Sequence, residues 1–451
     1  MGGKKGRRNV FFGGLRGRFV LFGALFFSVA AVCTAEEKKF QIRPGVEIVC
    51  ESNKSALSYQ PGEEMIFKFR LNTVENIPDS WYLRYDRAGD DRRYFRGKVP
   101  AKSEVVIKTS LQKPGFVNFE VYLADENARP VLRNEKRSSR IAFYAGAAVA
   151  PLELNDCGGP ADFDEFWTKQ KQRLAAVPFA GTECKFVRNA RGGKVYAVSI
   201  PCAGPRPATG YLLVPNDAKE KSLAAKICFY GYGASPQRVP SMVTPGHLVL
   251  NLNAHGQELG RDETYYKEFF RSIRTEKYSY AFDPEQNKDP ENCFFNGMAL
   301  RALRAVEYLK SRPEWNGKDL IASGTSQGGM QALWVTALDP AVTSAVVEVP
   351  WCCDLAGKPK AKRLAGLWRL KYVPGLDYFD PVFMAKRIRN AEVKINRAGL
   401  GDYTCPPSGI AILYKNLATP KKSIRWVQGG DHVFVPSKSE VIVWQEGEKK
   451  N

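Results

Sequence analysis

Leu320-Ile321-Ala322-Ser323-Gly324-Thr325-Ser326-Gln327-Gly328-Gly329-Met330-Gln331-Ala332-Leu333-Trp334 decides how this chain folds. Its first four residues form the apolar run of a buried strand, and a helical pattern continues over 328–338. Between the two stands Gly-x-Ser-x-Gly, followed by another glycine. A strand that turns at once into a helix crowds its own backbone, so both positions beside the serine need to lack a Cβ. The bend lifts the Ser326 hydroxyl above the carboxyl end of a sheet, where a ligand can approach. A plain Gly-rich turn with a capping serine is the competing reading.

The texture on either side agrees. Strand runs at 194–200, 210–214, 225–230, 248–253, 342–349, 393–398 and 423–427 alternate with helical patterns over 162–174, 297–310 and 407–417. This alternation predicts an α/β fold with a doubly wound, mostly parallel sheet covered on both faces. In the helix over 297–310, Leu300, Leu303, Val306 and Leu309 share one apolar stripe. Residues 151–451 suffice for one large domain of this kind.

Residues 36–150 have a different period. Short alternating runs at 46–50, 65–71, 81–85, 104–108 and 116–124 are broken by Pro61-Gly62, Gly89-Asp90 and Pro114-Gly115. Period two at this spacing predicts a small all-β sandwich, immunoglobulin-like, ending at a break over 147–151. It contains no histidine, and Trp81 and Tyr82 read as core aromatics rather than a platform for a sugar ring. Ahead of it, Lys4, Lys5, Arg7, Arg8, Arg16 and Arg18 precede an apolar run over 19–35 that ends in small residues. That pattern predicts a signal peptide over 1–35 and an exported, periplasmic or extracellular protein with no membrane attachment after cleavage. A retained anchor is the alternative, for which the run falls short of about 20 residues.

Composition bounds the partners. With 451 residues, 44% hydrophobic and 25% charged, the chain is neither disordered, collagenous nor coiled-coil. Lys and Arg outnumber Asp and Glu by 67 to 47, an excess of 20, of which six lie in the leader and the remaining 14 form no basic block. Nucleic acid is therefore not expected as a partner; a basic surface suits an acidic polysaccharide. Ten cysteines, of which Cys33 lies in the leader, include no C-x-x-C pair. The three histidines, His247, His255 and His432, do not cluster with them, so no metal is expected and no disulfide can be assigned.

A serine nucleophile needs a base, and the base an orienting acid. On a strand–bend–helix fold these follow in the order Ser, Asp or Glu, His. His432, in Gly429-Gly430-Asp431-His432, is the one histidine after Ser326. Acid candidates between them are Asp354, Asp377, Asp380, Glu392 and Asp402. Asp402 is favoured because it follows the penultimate strand, with Asp354 second; Asp431 adjoins the histidine too closely to orient it. An oxyanion hole would take the N–H of Gln327 and one from the loop over 230–236, with Tyr232 the candidate donor.

Gly231-Tyr232-Gly233, Gly324-x-Ser326-Gln327-Gly328-Gly329, Pro350-Trp351-x-Cys353-Asp354, Tyr378-Phe379-Asp380 and Gly401-Asp402-x-x-Cys405-Pro406-Pro407 occur here in one order. Together with Asp162-Phe163-Asp164-x-Phe166-Trp167 they resemble the acetyl xylan esterase/cephalosporin-C deacetylase family of α/β hydrolases, from about residue 151 onward. The resemblance implies Ser326, Asp402 and His432 as triad and Tyr232 and Gln327 as oxyanion donors. It implies acetylated carbohydrate as substrate, no cofactor and a homo-oligomer. Two positions depart from the family pattern: His255-Gly256-Gln257 replaces Arg-Gly-Gln, and His432-Val433 replaces His-Glu. Feruloyl or glucuronoyl ester hydrolysis, a prolyl-oligopeptidase-like activity and a non-catalytic glycan-binding protein are the alternatives.

Overall fold

The structure, a computed structural model, describes residues 45–134, 139–364, 368, 370–436 and 439–446. The leader expected over 1–35 lies outside the described residues.

Alternation in the N-terminal part closes into packed antiparallel sheets. The strands are β1 (Val46–Ser52), β2 (Met65–Thr73), β3 (Tyr82–Gly89), β4 (Tyr94–Pro100), β5 (Val105–Thr109), β6 (Gly115–Ala124), β7 (Leu132–Asn134), β8 (Ser139–Arg140) and β9 (Ala142–Val149). One sheet has the order β1-β2-β5 and the other β4-β3-β6-β9, with β7 and β8 as a separate ribbon. Met65, Phe67 and Phe69 point inward on either side of the exposed Lys68. They pack with Val117, Phe119, Val121 and Leu123 of β6, the Phe67 and Phe119 rings lying 4.6 Å apart.

β9 breaks the alternation, and every residue in it is buried. Phe143, Ala145, Ala147 and Val149 face the sandwich core. Tyr144 and Gly146 bond to the C-terminal part, and Ala148 joins its core. A strand covered on both faces shows no polar phase. The break expected over 147–151 is therefore corrected: β9 runs to Val149, and the chain turns at Ala150, φ 42°, into a 3-10 turn over Pro151–Glu153.

The C-terminal part holds β10 (Glu183–Ala190), β11 (Gly193–Ile200), β12 (Ala208–Pro215), β13 (Leu223–Phe229), β14 (His247–Leu252), β15 (Trp315–Thr325), β16 (Ser344–Glu348), β17 (Glu392–Gly399), β18 (Lys422–Val427) and β19 (Val441–Glu446). They form one ten-stranded sheet in the order β10-β11-β12-β14-β13-β15-β16-β17-β18-β19. From β14 to β18 the neighbours are parallel, as expected. Antiparallel strands extend both margins, which makes the sheet mixed.

The helices are α1 (Phe163–Ala175), α2 (Glu263–Ser272), α3 (Phe294–Ser311), α4 (Gln327–Leu338), α5 (Gly357–Ala361), α6 (Pro381–Ala385) and α7 (Pro407–Asn416). α3 is buried well beyond its apolar stripe because it packs against the sheet, α1 and α4. Its enclosed Arg301 donates to the Ala254 carbonyl at 2.8 and 3.1 Å, and Arg304 to that of Val177 at 2.9 Å. A buried guanidinium needs such acceptors to offset its lost hydration.

Register places the site. Phe229 lies level with Gly324, Thr325 with Glu348, Glu348 with Arg397, and Gly399 with Val427. The carboxyl ends of β13, β15, β16, β17 and β18 thus open along one edge, as ligand sites in α/β sheets require. Among the described residues all nine cysteines are free thiols, and no helix is long and apolar enough to cross a membrane.

Trp334, fully buried in α4, packs on Phe295 and Phe379 and donates its indole N–H to the Phe379 carbonyl at 2.7 Å. Trp334→Ala is expected to cost about 3–5 kcal/mol, read as a shift in the denaturant midpoint of the C-terminal part.

Candidate active site

Ser326 sits at φ 60°, ψ −120°, a conformation that costs a non-glycine residue about 1–3 kcal/mol. The surrounding backbone enforces it. A Cβ on Gly324 would stand 2.3 Å from the Gly328 carbonyl carbon, and one on Gly328 would stand 2.3 Å from the Phe229 carbonyl oxygen. Ser326 N–H donates to the Glu348 carbonyl at 2.9 Å, and Trp351 N–H donates to the Ser326 carbonyl at 3.1 Å. The Ser326 side chain makes no capping bond to α4, so the capping reading does not hold.

Asp402 leaves β17 and is fully buried. One carboxylate oxygen accepts the N–H groups of Thr404 at 2.7 Å and Cys405 at 2.9 Å, and the other accepts from His432 Nδ1 at 3.0 Å. These bonds satisfy a carboxylate without solvent and turn it toward the imidazole. Asp431 folds the histidine loop by accepting the N–H groups of Val433 and Phe434.

The other acids are placed elsewhere. Asp354 forms a buried ion pair with Arg363 at 2.7 Å. Asp377 accepts from the Tyr372 hydroxyl at 2.8 Å, and Asp380 caps α6 through Val382 N–H at 2.9 Å. Glu392 begins β17, at the far end from Asp402, and pairs with Lys394. The structure joins His432 to Asp402 and to none of these.

Ser326 and His432 are not hydrogen-bonded to each other. Their loops are tied through Arg397, which sequence reasoning missed. Its guanidinium bonds the Glu348 carboxylate at 3.3 and 3.4 Å and the His432 carbonyl at 3.1 Å, while the Glu348 carbonyl holds Ser326. An arginine whose partners, a carboxylate and a carbonyl, lie far away in the chain leaves no local motif to read.

The N–H groups of Tyr232 and Gln327 find no protein acceptor among the described residues. Tyr280, also missed, fastens their two loops. Its hydroxyl accepts from Gly233 N–H at 2.9 Å and donates to Gln327 Oε1 at 3.0 Å, while its ring stacks 4.4 Å from that of Tyr232. His255 lies edge-on to Tyr280 and donates from Nε2 to the Gly233 carbonyl at 2.8 Å. Burial lowers its pKa from 6.5 to about 3, and its Nδ1 is enclosed without a partner, so the imidazole is neutral.

Asp402, Cys405 and His432 offer ligand atoms within 4.8 Å of one another. Both Asp402 oxygens are already engaged, and burial holds the Cys405 thiol far above its ordinary range. The donor set is committed to hydrogen bonding and favours the proton rather than an ion.

A serine on a strained strand–helix bend and a histidine–aspartate pair on loops that follow neighbouring parallel strands fit the α/β-hydrolase class. Two solved structures share the fold. The acetyl xylan esterase from Paenibacillus sp. R4 is 23% identical, with TM-score 0.53, over 63% of this chain and 94% of that one. Acetyl xylan esterase 1 from Thermoanaerobacterium sp. JW/SL YS485 is 22% identical, with TM-score 0.52, over 64% and 93%. Acetyl esterase Axe7A of Xylanibacter ruminicola is 24% identical over 90% of this chain and 91% of its own length. Residues 156–360 and 371–447 match the acetyl xylan esterase (AXE1) family signature. The chain belongs to that family, and it is a carboxylic ester hydrolase.

His255 ties stability to pH. Its folded pKa lies below the unfolded value, so the unfolded chain binds the extra proton between about pH 6.5 and 3 and stability falls as pH falls through that window. The slope approaches about 1.4 kcal/mol per pH unit. Thermal midpoints of His255→Asn are expected to decline less from pH 6.5 to 4.5 than those of the parent.

Proposed function

We propose that this esterase is exported and removes O-acetyl groups from acetylated xylan, xylo-oligosaccharides or related acetylated sugars through a Ser–His–Asp acyl-enzyme mechanism. The 3.0 Å contact between Asp402 and His432, at the sheet edge that carries the Ser326 bend, supports this reading most directly. Family membership supports a carbohydrate ester as substrate.

In this mechanism His432 Nε2 closes on the Ser326 hydroxyl as substrate binds, a contact that commonly tightens only in the complex. The hydroxyl oxygen attacks the acetyl carbonyl while His432 takes its proton. Asp402 stabilises the imidazolium. The N–H groups of Tyr232 and Gln327 receive the tetrahedral oxyanion without reorganising. His432 then returns the proton to the departing sugar hydroxyl, and the acetyl group rests on Ser326. Water, deprotonated by His432, releases acetate by the same route.

Residues 36–150 form the accessory domain in this reading and residues 151–451 the catalytic one. The strand orders β1-β2-β5 and β4-β3-β6-β9 support an immunoglobulin-like class for the first.

Ser326→Ala is expected to abolish p-nitrophenyl acetate turnover with an unchanged thermal midpoint. Asp402→Asn is expected to lower kcat by roughly 10³–10⁴-fold. Acetate release from acetylated xylan should exceed feruloyl or glucuronoyl ester cleavage. Appreciable turnover by pure Ser326→Ala protein would sink the mechanism, and preference for another acyl group would sink the substrate.

A further inference from the structure

The loops that carry Asp402 and His432 both rest on β9 of the sandwich. Tyr144 forms an isolated antiparallel bridge with Gly429, just ahead of His432: Tyr144 N–H donates to Gly429 O at 3.3 Å, and Gly429 N–H to Tyr144 O at 3.1 Å. The Gln428 side chain then behaves as a further length of strand. Its Oε1 accepts from Gly146 N–H at 2.8 Å, and its Nε2 donates to the Gly146 carbonyl at 2.9 Å.

The acid loop lies against the same two residues, at distances only glycine permits. A Cβ on Gly401 would stand 2.2 Å from the Tyr144 carbonyl oxygen, and one on Gly146 would stand 2.0 Å from the Leu400 carbonyl oxygen. Two side-chain contacts flank this seam. The Tyr144 ring lies 5.6 Å from that of Tyr403, and the Arg133 guanidinium lies 3.6 Å over the Phe434 ring.

Asp402 and His432 come from separate loops after neighbouring strands, and a displacement of about 1 Å in such a pair can cost a hundredfold in rate. A strand that touches both loops makes their offset a property of one rigid element. The amide pair between Gln428 and Gly146 is buried, so its loss would not be made good by water. β9 precedes the stretch matched by the family signature, which begins at residue 156, whereas the similarity to Axe7A covers 90% of this chain.

We propose that β9 is a positioning element for the acid–base pair, acting through Gln428, which registers the His432 loop against Gly146 while Gly146 and Tyr144 seat the Asp402 loop. This rests on the triad reading above.

The test uses the full chain with p-nitrophenyl acetate. Gln428→Met keeps the length of the side chain and removes both hydrogen bonds. Its kcat is expected to fall about tenfold, with KM held within about twofold. In a His432→Ala background the same substitution should leave the residual rate unchanged, because the base it positions is gone. Arg133→Met, which removes the cation over Phe434, is expected to give a smaller loss with the same dependence on His432. Phe67→Leu, in the sandwich core, should lower the thermal midpoint and leave kcat unchanged.

An unaltered kcat in both Gln428→Met and Arg133→Met, or an equal loss with and without His432, would overturn the positioning role. Turnover by Ser326→Ala would instead bring down the triad reading, so the two failures are told apart.

Discussion

Lack of room at one bend governs this molecule. β15 enters α4 with so little clearance that Gly324 and Gly328 press on carbonyl atoms where any side chain would collide. The bend forces Ser326 into a left-handed backbone, and β16 with the loop after it absorbs the strain: Glu348 of β16 holds its N–H, and Trp351 in that loop holds its carbonyl. The rest of the C-terminal part can be read as support for that geometry. Parallel neighbours bring further loops to the same edge, and α4, buried along nearly its whole length, cannot move away.

Much of this was legible in the chain itself. The Gly-x-Ser-x-Gly string between an apolar run and a helical one specifies the bend because its steric demand is local. His432 was legible through scarcity, and Asp402 through its position after β17. What stayed hidden depends on distant partners. Arg397 works through the carbonyl of His432, Tyr280 through Gly233 and Gln327, and neither relation leaves a spacing pattern. α2 did carry local marks that sequence reading passed over: Asp262 accepts from Tyr265 N–H at its first turn, and Tyr265, Tyr266, Phe269 and Phe270 recur at helical spacing.

Two of the strands that escaped sequence reading did so for opposite reasons. β10 is exposed along nearly all its residues at the sheet margin, so no buried phase alternates with a polar one. β9 is buried throughout, so no polar phase alternates with a buried one. Period two marks a strand only when one face is wet. The Ala- and Gly-rich composition of β9 is what allows close approach on both sides, and it also makes the stretch resemble a linker.

That composition has a consequence for the order of assembly. Synthesis completes the sandwich long before the residues after β17 and β18 are made, so a finished edge awaits loops that arrive near the end of translation. The loops that carry Asp402 and His432 are thus laid down on a surface prepared by the first part of the described fold. The contact between Asp402 and His432 becomes a late acquisition of the folding chain, and it leans on an N-terminal region that supplies neither residue.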